Sequence, residues 1–464
     1  MQSFSILYTI LYALYNVEYY NFLPSYINSI RINQNICWTY KDCSYSTKLE
    51  SYNDKLLKFD FNSTCNKNII IIGTIYNLDI IKDDYKYTRY FNNSLDIEKS
   101  GIRIFSMNEN LIYPLVNLYE TVSLFKGVMG SPNVSPETEN KNINFLKNIG
   151  NINFEKVNNK LSNVNKISSG DFLAIVRLDG LDPLISWATG SHLGHTTFVI
   201  DYFNNGRLYV LESQTSSNYW EKNGIQKTPL DEWLKLSERA SYNVIRIHLK
   251  NKYQKIFNEN TKKIVTWFET VEGLDYGYHN FLFGWIDNHN NLPTNYNNLI
   301  TYHHIMLLFA HIEPYLDFIN KHITFVPDIY IEGLNKRLNT QNLKIIDIFN
   351  EMYRRNLTFI DLISIPEDDN WEYSNGKNMV CDVFLCNAYR IAGLFDNISV
   401  NCSEFTPFDF YELDWWNTST DYIMGNYNIR VPKLGTIKPF NNMRNNCSTD
   451  APLFNIRNKE KYYC

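Results

Sequence analysis

The chain has 464 residues, 44% hydrophobic and 15% aromatic, with 20% charged residues and a formal net charge of −5. That length buries a substantial core, in two or three domains or one large elaborated one. With no basic excess and no Lys/Arg cluster interleaved with aromatics, the composition argues against a nucleic-acid partner, and a polybasic membrane patch is missing too.

In chain order, Phe4–Tyr15 (FSILYTILYALY) has the length of a signal-peptide core and is too short to span a bilayer. Residues 1–15 are therefore read as a signal peptide in preference to a buried first helix or strand, and no integral membrane span is expected. Residues 16–165 form an N-terminal region and linker. Within it Asn68–Ile81 has strand character and Leu111–Phe125 has helical spacing. Ser131–Lys166, rich in Asn, Pro, Ser and Lys, reads as loop and as the best domain boundary.

Residues 166–285 are sharper. Phe172–Leu178, Thr196–Asp201, Arg207–Ser213 and Asn243–Leu249 read as strands of an antiparallel sheet. Asn204-Asn205-Gly206 is a hairpin turn, because Asn and Gly tolerate positive φ. Thr261–Glu272 is a helix closed by Gly273. Residues 286–365 form a helical insertion, with apolar spacing in ITYHHIMLLFA and IIDIFNEMY. In 366–400 a helix follows Asn378, with Cys381, Phe384, Leu385, Ala388, Ile391 and Ala392 on one face and Gly393 at its end. Residues 401–464 are an aromatic, loop-rich, Cys-containing tail.

Eight cysteines and eight N-x-S/T sequons suit disulfides and glycosylation in an oxidising compartment, secreted, endolysosomal or at the cell surface. Cysteine spacing matches no zinc motif. His303, His304 and His311 carry no accompanying carboxylate motif, so no metal and no cofactor is expected.

Three segments carry the chemistry: Gly170-Asp171 leading through Gly194-His195 to Glu212; Gly273–Asn280 with Tyr276 and Tyr278; and Met379-Val380-Cys381 onward. A nucleophilic Cys needs a lowered pKa or a base, and a helix N-terminus plus an imidazole supply both. Asn378 is placed to cap the helix and Cys381 to lie in its first turn. His195 starts a strand, and Glu212 lies one hairpin away, where a carboxylate fixes the imidazole tautomer. His192 is the rival base. Cys386 is turned away from Cys381 on a helix and reads as core. Asp171 fits a sheet-end turn better than catalysis, though with Tyr276, Tyr278 and His192 it stands among the candidate pocket residues.

These positions resemble the circularly permuted branch of the papain-like fold, in the NlpC-like superfamily with its YiiX-like amidases: a GD strand, a GH motif, an acid-bearing strand, a G-x-x-Y segment, then a Cys-headed helix with Ala-Tyr and Ala-Gly in register. GYHNFLFGWIDN is also similar to stretches of uncharacterised secreted protist proteins. Asp382-Val383 replaces the usual Ser-Glu, and the segment between Tyr278 and Cys381 is longer than in compact relatives. The resemblance implies an α+β papain-like core, its antiparallel sheet packed on the Cys-bearing helix. It also implies a thiol hydrolase cleaving amide bonds of peptides or cell-wall peptides through Cys381, His195 and Glu212. The alternatives are a lipid esterase or acyltransferase of the lecithin–retinol acyltransferase type, acting on a lipid-like acyl substrate, and a catalytically inactive surface binding protein.

Overall fold

β-branched and aromatic residues recur through the chain in short runs, and these runs assemble into antiparallel sheets joined by amphipathic helices. In the computed structural model the described residues are 24–438 except 41–42, 66–67, 75–76, 83–84, 109–111, 130–131, 151–153, 158–160, 190, 284–325, 358–360, 363–364, 432–433 and 437. The expected leader at 1–15 and His303, His304 and His311 lie outside them. The chain divides into two units, residues 1–122 with 295–363, and 123–294 with 364–464.

The first unit holds two four-stranded antiparallel sheets. One has the order β1(Ser25–Ile30), β8(Ile102–Asn108), β5(Asn68–Gly73), β6(Leu78–Ile81). The other runs β2(Gln34–Tyr40), β3(Cys43–Ser51), β4(Leu56–Ser63), β7(Lys86–Asn92). The single strand expected over Asn68–Ile81 is a hairpin, β5 pairing with β6. In β3 the alternation of buried Tyr45, Thr47 and Leu49 with more exposed neighbours is that of a sheet with one face in the core. Cys43 and Cys65 form a disulfide there. Arg103 is buried, and its guanidinium is matched by Asp96 at 2.9 Å and by the Tyr353 hydroxyl at 2.8 Å. Tyr353 comes from the helix Ile345–Arg354.

The second unit is built on a six-stranded antiparallel sheet. Its order is β13(Gly224–Pro229), β12(Leu208–Gln214), β11(His195–Asp201), β10(Phe172–Arg177), β14(Tyr242–Leu249), β15(Trp416–Met424). A two-stranded ribbon, β9(Phe154–Lys156) with β16(Tyr427–Ile429), completes the set. The β11–β12 hairpin turns where expected, with Asn204 and Gly206 at positive φ. The segment expected as loop, 131–166, contains the helix Pro136–Gly150, started by Pro136 with Glu137 and Glu139 in its first turn. The tail expected to be loop-rich supplies the edge strand β15 and the buried Trp415 and Trp416.

Both faces of this sheet are covered. Leu173, Ile175, Val199, Val210 and Val244 point to one side, where they pack with Trp220, Trp233 and Tyr242. Trp233 belongs to the helix Leu230–Arg239. Phe172 and Phe198 point to the other. Phe198 meets Phe257 of the helix Asn251–Val271, and Phe384 and Tyr389 of the helix Cys381–Ile391. The molecule is therefore mixed α and β with antiparallel sheets. A second disulfide, Cys386–Cys402, ties the Cys381 helix to the following loop, so Cys386 is not the plain core residue the sequence suggested. Two disulfides fit an oxidising compartment. Among the described residues no helix is long and apolar enough to cross a membrane.

Candidate thiol site

Gly194 and Gly277 set the site by close approach. A Cβ on Gly194 would fall 2.1 Å from the Cβ of Asp182, which sits in the first turn of the helix Leu181–Thr189. The Asp182 carboxylate accepts from the Arg177 backbone N–H at 2.6 Å, and Gly194 N–H donates to the Ile175 carbonyl at 3.1 Å. The chain is thereby pinned as it enters β11, and His195 pairs with Ile175. Gly277 lies against the Met379 backbone, which a Cβ would meet at 2.7 Å. Its N–H donates to the Met379 carbonyl at 3.1 Å, and the Ser213 hydroxyl donates to the same oxygen at 2.6 Å. All three sequence segments thus converge on one end of the sheet.

The imidazole and the acid are joined. His195 Nε2 lies 3.0 Å from Glu212 Oε2, and the Trp233 indole N–H donates to Glu212 Oε1 at 3.1 Å. Glu212 is fully buried. The register Phe198↔Leu211, continued by one pair, places Glu212 opposite Thr197, so His195 and Glu212 are diagonal neighbours on one face.

Cys381 is a free, buried cysteine and the first residue of its helix. The residue flanking the helix is Val380, without a side-chain cap; Asn378 instead donates to the Asn375 carbonyl at 2.8 Å. The expected Asn378 cap is corrected accordingly. The thiol donates to Asp382 Oδ1 at 3.7 Å. It also faces the polar groups of Thr196, although Thr196 Oγ1 makes no hydrogen bond of good geometry. Burial pushes the thiol well above its ordinary pKa, the Asp382 charge adds to this, and Thr196 offsets only part. The expected lowering by the helix N-terminus does not prevail, because desolvating a thiolate outweighs the half-charge of a helix end.

Cys381 and His195 are not hydrogen-bonded to one another. Strand alternation gives the reason. Thr196 shares the face of Phe198, against which the Cys381 helix packs, whereas His195 shares the face of Val199, toward Trp233 and Tyr242. The expectation that His195 projects toward the Cys helix is corrected: the imidazole leaves β11 on one side, and the helix that carries Cys381 packs on the other.

Tyr276 is buried against Val380 and Val383. Burial raises its phenol pKa far above the usual value. Tyr278 hydroxyl lies 2.6 Å from Thr215 Oγ1. His192 Nδ1 lies 3.2 Å from the Tyr411 hydroxyl. Asp171 is a buried ion-pair residue, 2.5 Å from both Arg246 Nε and His248 Nδ1, at the far end of β10 from the Ile175–His195 pair. It does not share the thiol's surroundings.

Sequence reasoning missed Asp382, Thr196 and Trp233. Asp382 left a trace, as the departure from Ser-Glu after the Cys. Its carboxyl is buried and pushed up to about 7, by desolvation first and by the charge of Asp409. Among the described residues no group of three or more His, Cys, Asp or Glu side chains is arranged to hold a metal. Comparison of the chain with known protein families, with curated proteins and with solved structures gave no match.

Proposed function

We propose that the chain is an exported thiol hydrolase with a permuted papain-like core, in which Cys381 attacks the carbonyl of an amide, His195 takes its proton and Glu212 orients the imidazole. One observation carries this reading. Cys381, His195 and Glu212, distant in the chain, gather at one sheet end: the acid bonds the imidazole at 3.0 Å, and the thiol faces the residue next to it. Proton transfer accompanies attack rather than preceding it; at rest the imidazole is held by Glu212 on the other side of β11 from the sulfur. The oxyanion is met by the Cys381 backbone N–H, one of the N–H groups a helix start leaves without an intrahelical partner. Peptides or cell-wall peptides are the substrates, and the two disulfides support a secreted or endolysosomal location.

A second reading is favoured by the strand between thiol and imidazole: a binding protein that keeps the framework without the chemistry. Acyl-electrophile probes on the purified chain separate the two. Labelling that survives Cys37→Ala and disappears in Cys381→Ala supports the hydrolase. A folded chain that takes no label at Cys381 from any amide- or ester-like probe supports the binding protein.

A further inference from the structure

A second site lies on the other stripe of the Cys381 helix. A cavity of about 750 Å³ opens along Met379, Val383, Asn387 and Arg390, floored by Trp267 and Val271 and walled by residues 367–371 and 399–403. Cys381 and His195 do not line it. Its walls are tied to the helix by the Cys386–Cys402 disulfide. Asp369 completes the tie: one oxygen accepts from the Ser403 N–H at 2.8 Å and hydroxyl at 2.9 Å, and the other from Arg390. The Asp369 N–H donates to Asn401 Oδ1 at 3.1 Å. Such a cavity is preorganised, so a ligand loses little to ordering it.

Its chemistry selects the ligand. Asp369 is paired with Arg390, and the Tyr373 hydroxyl, with one proton to donate, lies 2.7 and 2.9 Å from the two Glu367 oxygens. Amides from Asn280, Asn370, Asn378 and Asn387 and indole rings line the space, with Asp368 and Lys377 beside them. Trp267 stacks on Phe384 at 5.5 Å and 25°, so one ring face is taken and the ring is held flat at the floor. Asn378 lines the space; its Oδ1 is buried and has no hydrogen-bond partner among the described residues. The carboxyl groups of Glu367, Asp368 and Asp369 are set against Lys377 and Arg390, so no large charge of one sign selects an ion, and the polar lining disfavours an oily ligand. A flat aromatic floor for C–H faces, with amides for hydroxyl edges, is the complement of a pyranose ring.

We propose that this cavity binds a neutral saccharide, independently of whether Cys381 is a nucleophile. The test is calorimetric titration of the full chain with neutral oligosaccharides of N-acetylglucosamine, glucose and mannose, beside a polyamine and an oligouronate. The expected result is saturable binding of at least one neutral series. Ser399→Trp, at an exposed wall position, and Asn378→Ala should weaken it about tenfold or more, a loss of the order a single buried hydrogen bond or filled subsite supplies. Cys381→Ala should keep it. The proposal is overturned if no neutral sugar binds at about 10 mM, if only the polyamine or the oligouronate binds, or if binding is indifferent to Ser399→Trp and Asn378→Ala. Loss of sugar binding in folded Cys381→Ala also overturns it, by moving the sugar to the thiol site. Failure of labelling at Cys381 leaves this result untouched, so the two readings fail separately.

Discussion

Replacing Cys386 and Cys402 together by alanine removes the bond between the Cys381 helix and its following loop without creating a new thiol. The two cysteines are 16 residues apart. The chain-entropy relation for a closed loop of that length gives about 3 kcal/mol of stabilisation through the unfolded state. Both residues are fully buried, so the lost sulfur contacts add to this. With a guanidinium m-value of about 5 kcal/mol/M for a unit of this size, the midpoint falls by about 0.6 M. Tryptophan fluorescence is the assay, since of the nine tryptophans only Trp38 lies outside the larger unit. A midpoint shift corresponding to less than about 1 kcal/mol would refute the reasoning, because the loop 399–403 would then be held by its hydrogen bonds alone.

Asp382→Asn tests the buried carboxyl beside the thiol. A carboxyl raised to about 7 in the folded chain stabilises it fully below the unfolded pKa near 3.8, and that contribution is lost as pH rises through 7. The variant should therefore gain on the wild type between pH 4 and 8, by up to a few kcal/mol, read from melting curves at both pH values; equal differences at the two would contradict it. Gly194→Ala must push aside the Asp182 side chain and should cost about 1–3 kcal/mol or more in denaturant melts, whereas an unchanged melt would mean the approach is looser. Trp233→Phe leaves Glu212 Oε1 without its indole donor and should cost about 1–3 kcal/mol, with displaced His195 ring resonances in NMR spectra; unmoved resonances would show that Trp233 does not hold the acid.

How far the site could be read from sequence depends on what strand periodicity reveals. The β11–β12 hairpin was legible because Asn204 and Gly206 fix the turn, and the turn fixes which residues of the two strands are neighbours. The orientation of His195 was not. Residues 195–200 are buried on both faces, so no polar face marks which side looks to the Cys helix. The sign of the Cys381 shift also escaped, because a helix N-terminus is visible in sequence and the depth of burial is not. In residues 16–165 eight strands of the first unit went largely unread, since Tyr, Lys, Asn and Ser interleave with the apolar positions of β2, β4 and β7. The Pro136–Gly150 helix was hidden by sparse apolar spacing, with Phe145 and Leu146 among its few buried side chains. β15 was hidden by its Asn417–Thr420 stretch, polar because it lies at a sheet edge.

The central claim is that Cys381 is a nucleophile whose proton goes to His195 although the resting thiol is neutral. The most direct measurement is the pH–rate profile of Cys381 modification, followed by mass spectrometry, with iodoacetamide and with an acyl electrophile, in the wild type and in His195→Gln. The account predicts slow iodoacetamide reaction that rises only at alkaline pH, and acylation near neutral pH that His195→Gln abolishes. Acylation of equal rate in both proteins, or none in either, would contradict it.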